Sequence, residues 1–308
     1  MIADKLISRY SRIRDVNPIL KKIKYYAILR MLLRSLTNIF VPIYYTLSKG
    51  SKLIPLDNTN KRIIVSLTTF PARIGKVWIV IEGMLRQKHQ PDRIILWLSK
   101  KQFTSESILP KKLLKLKERG LEIMWTEEDL RSHKKYYYSL KQFPTDYIIT
   151  VDDDFFYPSY LITELVELRS RFPKVIACNR AHVMKSNLDK DVKYKEFEFI
   201  YESDKPEHNL FFTTGGGTLI MKEDFVEEVF EKEVFMDICM YADDVWLNLM
   251  AQFKRTQVIK TKNHIEPIPI FTSNNITLAS MNVDLNLNDK QIKDVLDHYK
   301  SANLIYSN

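Results

Sequence analysis

The sequence predicts an α/β fold, a mostly parallel central sheet with helices on both faces, preceded by a basic helical arm. Three observations predict it. Short β-branched runs alternate with helical segments from residue 62 to residue 178, the order that a parallel sheet with helical crossovers requires. The fourth of those runs ends in three consecutive acids, Asp152-Asp153-Asp154. The basic surplus of the chain lies in its first 52 residues.

The arm comes first. Residues 1–52 hold eleven Lys and Arg against Asp4 and Asp15, a surplus of nine that equals the net charge of the whole chain. The rest is formally neutral, which argues against a nucleic-acid cleft in the main body. Tyr25 to Leu47 is apolar but interrupted by Arg30, Arg34 and Pro42. A spanning helix wants about 20 apolar residues with few charges, and no small-residue cleavage site marks a signal peptide. The segment reads as basic amphipathic helices on an anionic membrane surface, or as an arm packing on the domain or on a second subunit.

Residues 53–60 read as a linker, with Pro55, Asp57 and Asn58 as turn formers. Arg62–Thr68 is then a buried strand, Lys76–Gln87 a helix and Asp92–Leu98 a second strand. Pro110–Glu118 is a helix with proline in its first turn, stopped by Gly120, and Leu121–Trp125 is a third strand. Lys134–Gln142 is helical, Asp146–Val151 is the fourth strand, Pro158–Arg171 a helix and Val175–Cys178 a strand. Beyond residue 180 the pattern becomes mixed strand and loop, with a helix expected near 223–231 and a strand over Leu219–Met221. The expected organisation is an arm over 1–55, a catalytic domain over 56–270 and a C-terminal tail with a helix over 271–308. No internal repeat is present, and Cys178 and Cys239 are too isolated for a disulfide framework or a zinc motif.

In a parallel sheet of this kind ligands bind beyond the carboxyl ends of the strands. Asp152-Asp153-Asp154 sits at such an end. Three adjacent carboxylates repel one another and are costly to desolvate without a cation, and hard oxygen ligands suit Mg²⁺ or Mn²⁺. Alternation along an extended chain points Asp152 and Asp154 the same way, toward one metal that neutralises a diphosphate leaving group. A second acidic pair, Asp243-Asp244, opens an amphipathic helix; it is either an N-terminal helix charge pair or a general base, Asp244, with Asp243 orienting it. Thr213–Thr218 contains Gly215, Gly216 and Gly217, which let backbone approach a ligand or make a tight turn. The run Arg131–Tyr138 offers Lys134 and Lys135 to phosphates and tyrosines to a base or sugar; His133 reads as structural.

Taken together, VSLTTFPARI (65–74), PDRIILWLS (91–99), LRSHKKYYYSLK (130–141), IITVDDDFFYP (148–158) and ADDVWL (242–247) resemble the bacterial family 2-like glycosyltransferases of capsule and lipopolysaccharide gene clusters. The resemblance spans residues 62–260. It implies a GT-A fold with a Rossmann-like nucleotide-binding half, a nucleotide-sugar donor such as a UDP-sugar, and Mn²⁺ or Mg²⁺. Carried over by position, Asp152 and Asp154 are the metal-binding pair, and Asp152, Thr69, Arg73, Lys134 and Lys135 face the donor. Asp244, with Asp243, stands where inverting members place their base; the motif here is Asp-Asp rather than Glu-Asp. The downstream basic signature of processive polymerases is not evident, which implies a single-addition enzyme. Gly215, Gly216, Gly217 and Trp246 are the expected acceptor-side contacts, and the implied acceptor is a lipid-linked or oligosaccharide glycan at the inner face of the cell membrane. The rival readings are a DxD phosphatase or nucleotidyltransferase, which want DxDx[TV] on the first strand or a glycine-rich basic loop after it, and a non-catalytic nucleotide- or glycan-binding protein.

Overall fold

A computed structural model describes residues 2–48, 50–53, 61–184, 193–263, 265–272 and 287–301. Most of the expected linker and the first part of the expected tail lie outside the described residues. The arm forms α1 (Ile2–Ser11), α2 (Pro18–Lys22) and α3 (Tyr25–Leu47). There follow β1 (Ile63–Thr68), α4 (Val77–Leu85), β2 (Arg93–Ser99), α5 (Lys111–Leu114), β3 (Leu121–Thr126), α6 (Lys134–Gln142), β4 (Tyr147–Thr150), β5 (Phe155–Phe156), α7 (Leu161–Arg171) and β6 (Ile176–Cys178). The second half contains β7 (Ala181–Val183), β8 (Glu198–Phe199), β9 (Leu210–Phe212), β10 (Thr218–Ile220), α8 (Lys232–Ile238), α9 (Asp243–Phe253), β11 (Val258–Lys260), β12 (Ile268–Pro269) and α10 (Leu287–Ser301).

The main sheet has the order β11-β6-β10-β4-β1-β2-β3. Its pairs are parallel except where β10 runs antiparallel between β4 and β6. β1 shows why helices cover both faces. Ile63, Val65 and Leu67 belong to one apolar core, shared with α4, α7 and the arm, while Ile64 belongs to the other, shared with α6, α9 and α10. That is the two-residue period of a strand buried on both sides. The expected α/β architecture is therefore the observed one.

Local chemistry sets several boundaries. The helical stretch after Pro110 tightens into a 3₁₀ turn over Lys115–Arg119 and stops at Gly120, whose φ of +109° favours glycine. A Cβ there would also meet Leu53 at 2.8 Å. The helix expected near 223–231 is instead two 3₁₀ turns, Lys222–Asp224 and Glu227–Phe230, before α8. Asp224 caps the first of these turns, its side chain accepting from Met221 N–H at 2.7 Å, and also pairs with Arg169 at 2.8 Å. A short acid that satisfies nearby backbone competes with helix propagation.

Arg169 and Asp224 are both almost fully buried. Removing Asp224 leaves the buried Arg169 with only the half-exposed Glu223, at 3.4 Å, as a counter-charge. Asp224→Ala is therefore expected to lower unfolding free energy by about 3–5 kcal/mol, measured by chemical denaturation, whereas loss of under about 1 kcal/mol would place Arg169 in contact with solvent.

Candidate active site

The site forms where β1, β4 and α9 bring their termini together. Val151 N–H still bonds to Ser66 O at 3.2 Å, continuing the register of β4 with β1. The chain then turns at Asp153-Asp154 on its way into β5. This turn corrects the expectation of strict alternation. Arg73, in the loop after β1, reaches both Asp153 at 2.8 Å and Asp154 at 2.9 Å. Thr69 Oγ1 donates to the second oxygen of Asp153 at 2.5 Å. Thr69 and Arg73, expected on the nucleotide, thus hold the triplet itself, and Asp153 serves as their anchor.

Asp152 has a different partner. Its side chain is 37 % exposed and accepts from Lys135 Nζ at 2.6 Å. The same ammonium lies 3.1 Å from Asp243 and is itself buried. Asp243 and Asp244 open α9, and Thr214 ties them to the glycine run. Thr214 N–H donates to Asp244 at 2.7 Å, and its hydroxyl lies 2.6 Å from Asp244 and 2.9 Å from Asp243, serving one at a time. Tyr157 closes the ring: its hydroxyl accepts from Asp152 N–H at 2.9 Å and donates to Gly215 O at 2.5 Å. A Cβ on Gly215 would stand 1.9 Å from Asp152 Oδ2, so glycine is required there by the approach of the carboxylate.

Five carboxylates consequently share Lys135 and Arg73, and their titration reflects the shortage of positive charge. Burial, then the neighbouring Asp152, pushes Asp154 up to about 7 against the pull of Arg73. Burial also raises Asp153, opposed by Arg73. In the second pair, burial would raise Asp243, but Lys135 outweighs it and holds the group down at about 2. Asp244 is pushed up to about 7 by burial and by the charge of Asp243. Burial works against the Lys135 ammonium, yet Asp152, Asp243 and Asp244 raise its pKa and keep it charged.

The residues fit a divalent cation. Asp154 Oδ1 is buried without a hydrogen-bond partner, and Asp152 keeps an exposed carboxylate beside it in sequence. Among the described residues no three His, Cys, Asp or Glu side chains converge as a metal cage. A pair of carboxylates is nevertheless the usual protein share of a Mg²⁺-type site, the remainder coming from water and phosphate oxygens.

Several expected residues lie elsewhere. Lys134 is buried and paired with Asp129, away from the acidic cluster. Trp246 is wholly buried; its indole N–H donates to Val229 O at 3.1 Å and its ring packs near Phe235 and Tyr299. An acceptor cannot reach it, so its expected acceptor contact is corrected to a core role. His133 is structural, bonded to Tyr136 and Cys239 O and stacked on Phe235, with burial lowering its pKa to about 4. The site residues that sequence reasoning missed are Tyr157, Thr214 and Asp153 in its anchoring role. A separate cavity of about 380 Å³, lined by Lys61, Met221, Phe225 and Lys254, opens beside the residue preceding β1, at the other end of that strand.

Residues 74–228 match the family described as Glycosyl transferase family 2. The chain belongs to that family. The family 2 match includes the triplet, Lys135 and the glycine run and ends before Asp243 and Asp244. Membership carries glycosyltransferase activity. The solved structures to which the chain shows a similarity include these three. One is the mannosyltransferase PcManGT of Pyrobaculum calidifontis in complex with GDP-Man and Mn²⁺, at 11% identity over 90% of this chain and 75% of that one, TM-score 0.48. Another is GalNAc-T7 with UDP, GalNAc and Mn²⁺, at 10% identity over 87% and 56%, TM-score 0.45. The third is a 4-diphosphocytidyl-2C-methyl-D-erythritol synthase, at 10% over 73% and 100%, TM-score 0.41. No curated protein sequence matches the chain. The family 2 assignment stands without these distant likenesses.

The two adjacent lysines separate cleanly by position. Lys135→Met is expected to lower donor turnover by about 100-fold or more, while Lys134→Met stays within a few-fold of the parent. Steady-state assays on both variants check this, and equal losses would contradict the division.

Proposed function

We propose that this family 2 enzyme transfers a sugar from a nucleotide-sugar, with UDP the expected nucleotide, to a hydroxyl of a cell-surface glycan, with inversion at the anomeric carbon. The observation that supports it best is the convergence of five carboxylates on one ammonium and one guanidinium, with a buried oxygen of Asp154 left unpaired. Asp152 and Asp154 would hold Mn²⁺ or Mg²⁺. When bound, the cation supplies charge neutralisation for the departing diphosphate.

The remaining roles fall to the chain's own groups. Arg73 and Thr69 hold Asp153, which fixes the turn that presents Asp152 and Asp154. Lys135 places a fixed positive charge beside Asp152, where the leaving group's charge develops, without reorganisation at the moment of reaction. Asp244 accepts the proton of the acceptor hydroxyl. The hydroxyl oxygen bonds to the anomeric carbon, and the bond from that carbon to the phosphate oxygen breaks, its electron pair leaving with the nucleoside diphosphate. Asp243, kept ionised by Lys135, and Thr214 orient Asp244. Gly215, Gly216 and Gly217 form a wall on the acceptor side.

The proposed acceptor is a growing bacterial surface glycan, of the capsule or lipopolysaccharide kind, on a lipid carrier. The proposed location is peripheral, at the inner face of the cell membrane, with residues 1–55 as the arm and 56–270 as the catalytic unit.

Nucleoside diphosphate release from a panel of nucleotide-sugars tests the reading. Chelation is expected to abolish release, Mn²⁺ or Mg²⁺ to restore it, and Asp154→Ala to remove it; release of pyrophosphate or free phosphate instead would exclude the mechanism. A pH profile tests the base. Asp244 works ionised, so turnover is expected to rise with pH along a limb near 7 and to fall as acid protonates the group. Asp244→Asn should remove that limb and lower turnover by about 10²–10⁴-fold.

A further inference from the structure

The arm has two unlike faces. One seats α3 on the body: Leu33, Val41 and Tyr45 are buried, and Asn38 bonds to Pro269 O at 3.0 Å and to Phe271 N–H at 2.7 Å. The other carries Ile28, Leu32, Leu36, Ile39, Ile43 and Leu47, each 40–81 % exposed. Their three- and four-residue spacing puts them on one stripe.

No charge interrupts that stripe. The two charged residues of α3, Arg30 and Arg34, turn back onto the protein. Arg30 pairs with Asp15 at 2.8 Å and bonds to Ile13 O at 3.1 Å; Arg34 bonds to the Tyr10 hydroxyl at 2.7 Å. The apolar face thus runs the whole helix, about 34 Å at 1.5 Å per residue. At its amino end Lys21, Lys22 and Lys24 are exposed beside exposed Ile19 and Ile23. Single exposed apolar side chains are ordinary, but a contiguous stripe of this extent marks an interaction surface.

We infer that this face of α3 docks in the plane of an anionic lipid bilayer, with the lysines of the α2–α3 corner on the headgroups and α3 lying on the membrane rather than crossing it. Charge selects the occupant. A second copy would bring two arms, each with a basic surplus of nine, against each other. The two acids of the arm are engaged, Asp15 with Arg30 and Asp4 with Ser159, and offer no counter-charge. Anionic lipid supplies it, at about 1 kcal/mol per Lys near the surface. Packing selects the orientation. α3 is long and apolar enough to cross a membrane, but crossing would strip Asn38 and the buried row from the body.

Docking here also sets the site against the membrane. Asn38 holds the strand segment whose Ile270 N–H bonds to Asp154 O at 2.7 Å, and that segment pairs with β5, directly after the triplet. The value of this placement rests on the lipid-borne acceptor proposed above; the docking itself does not.

Flotation of the full chain with vesicles tests the inference, using equal parts phosphatidylcholine and phosphatidylglycerol in one arm and phosphatidylcholine alone in the other. Binding is expected with the anionic vesicles, at least tenfold weaker with the neutral ones, and released by alkaline carbonate. Leu32→Ser/Ile39→Ser/Ile43→Ser and Lys21→Gln/Lys22→Gln/Lys24→Gln should each weaken it at least tenfold, while leaving nucleoside diphosphate release with a soluble acceptor within twofold. Absence of vesicle binding, carbonate-resistant insertion, or a dimer lost in the serine variant without lipid binding would each overturn the inference. Vesicle binding by a protein that turns over no nucleotide-sugar would leave the docking standing and remove the proposed function.

Discussion

The ammonium of Lys135, buried between Asp152 and Asp243, joins the two halves of this molecule. One partner closes the fourth strand of the parallel sheet; the other opens a helix of the second half. Without a cation between them, two carboxylates facing each other in a poor dielectric would repel or take up a proton. The position of the lysine depends in turn on buried polar contacts beneath it. Ser66 on β1 donates to Lys135 O, and Trp97 on β2 donates to Ser66 and Ser139. A hydroxyl and an indole inside an apolar sheet therefore fix the first turn of α6, and that turn fixes the charge on which both acidic motifs depend.

Much of the fold was legible in the sequence, because periodicity reports burial. β1 alternates between two cores residue by residue, and α6 occupies the expected Lys134–Gln142. The site was legible in outline for a different reason: clustered acids at a strand end are too costly to carry without purpose. Its internal wiring was not legible. The backbone turns at Asp153, and Arg73 and Thr69 hold that turn. Lys134 and Lys135 look alike in sequence, yet one helical step sends the first to Asp129 and the second to Asp152. Trp246 stands two residues after Asp244, and the same helical rotation buries it. Neighbouring positions on a helix face directions about 100° apart, so proximity in sequence to a functional residue says little about which way a side chain points. Tyr157 carried no signal, since an aromatic directly after the pair Phe155-Phe156 reads as core, which its ring also is.

The arm shows the same ambiguity on a larger scale. The two arginines that made its long helix look unsuited to spanning a membrane both turn back onto the rest of the arm. A hydropathy average mixes the two faces of a helix, whereas the structure separates them. One face joins the core beneath α4 and α7, and the other is mainly apolar and carries no charge. The arm is accordingly both of the things its sequence suggested, a packed element and an amphipathic surface.

The Tyr157 hydroxyl ties the backbone of Asp152 to the backbone of Gly215. Because one phenol oxygen receives from the acidic turn and gives to the glycine run, the two are coupled at that point. Moving either stretch of backbone by more than a hydrogen bond's reach would therefore cost that shared contact.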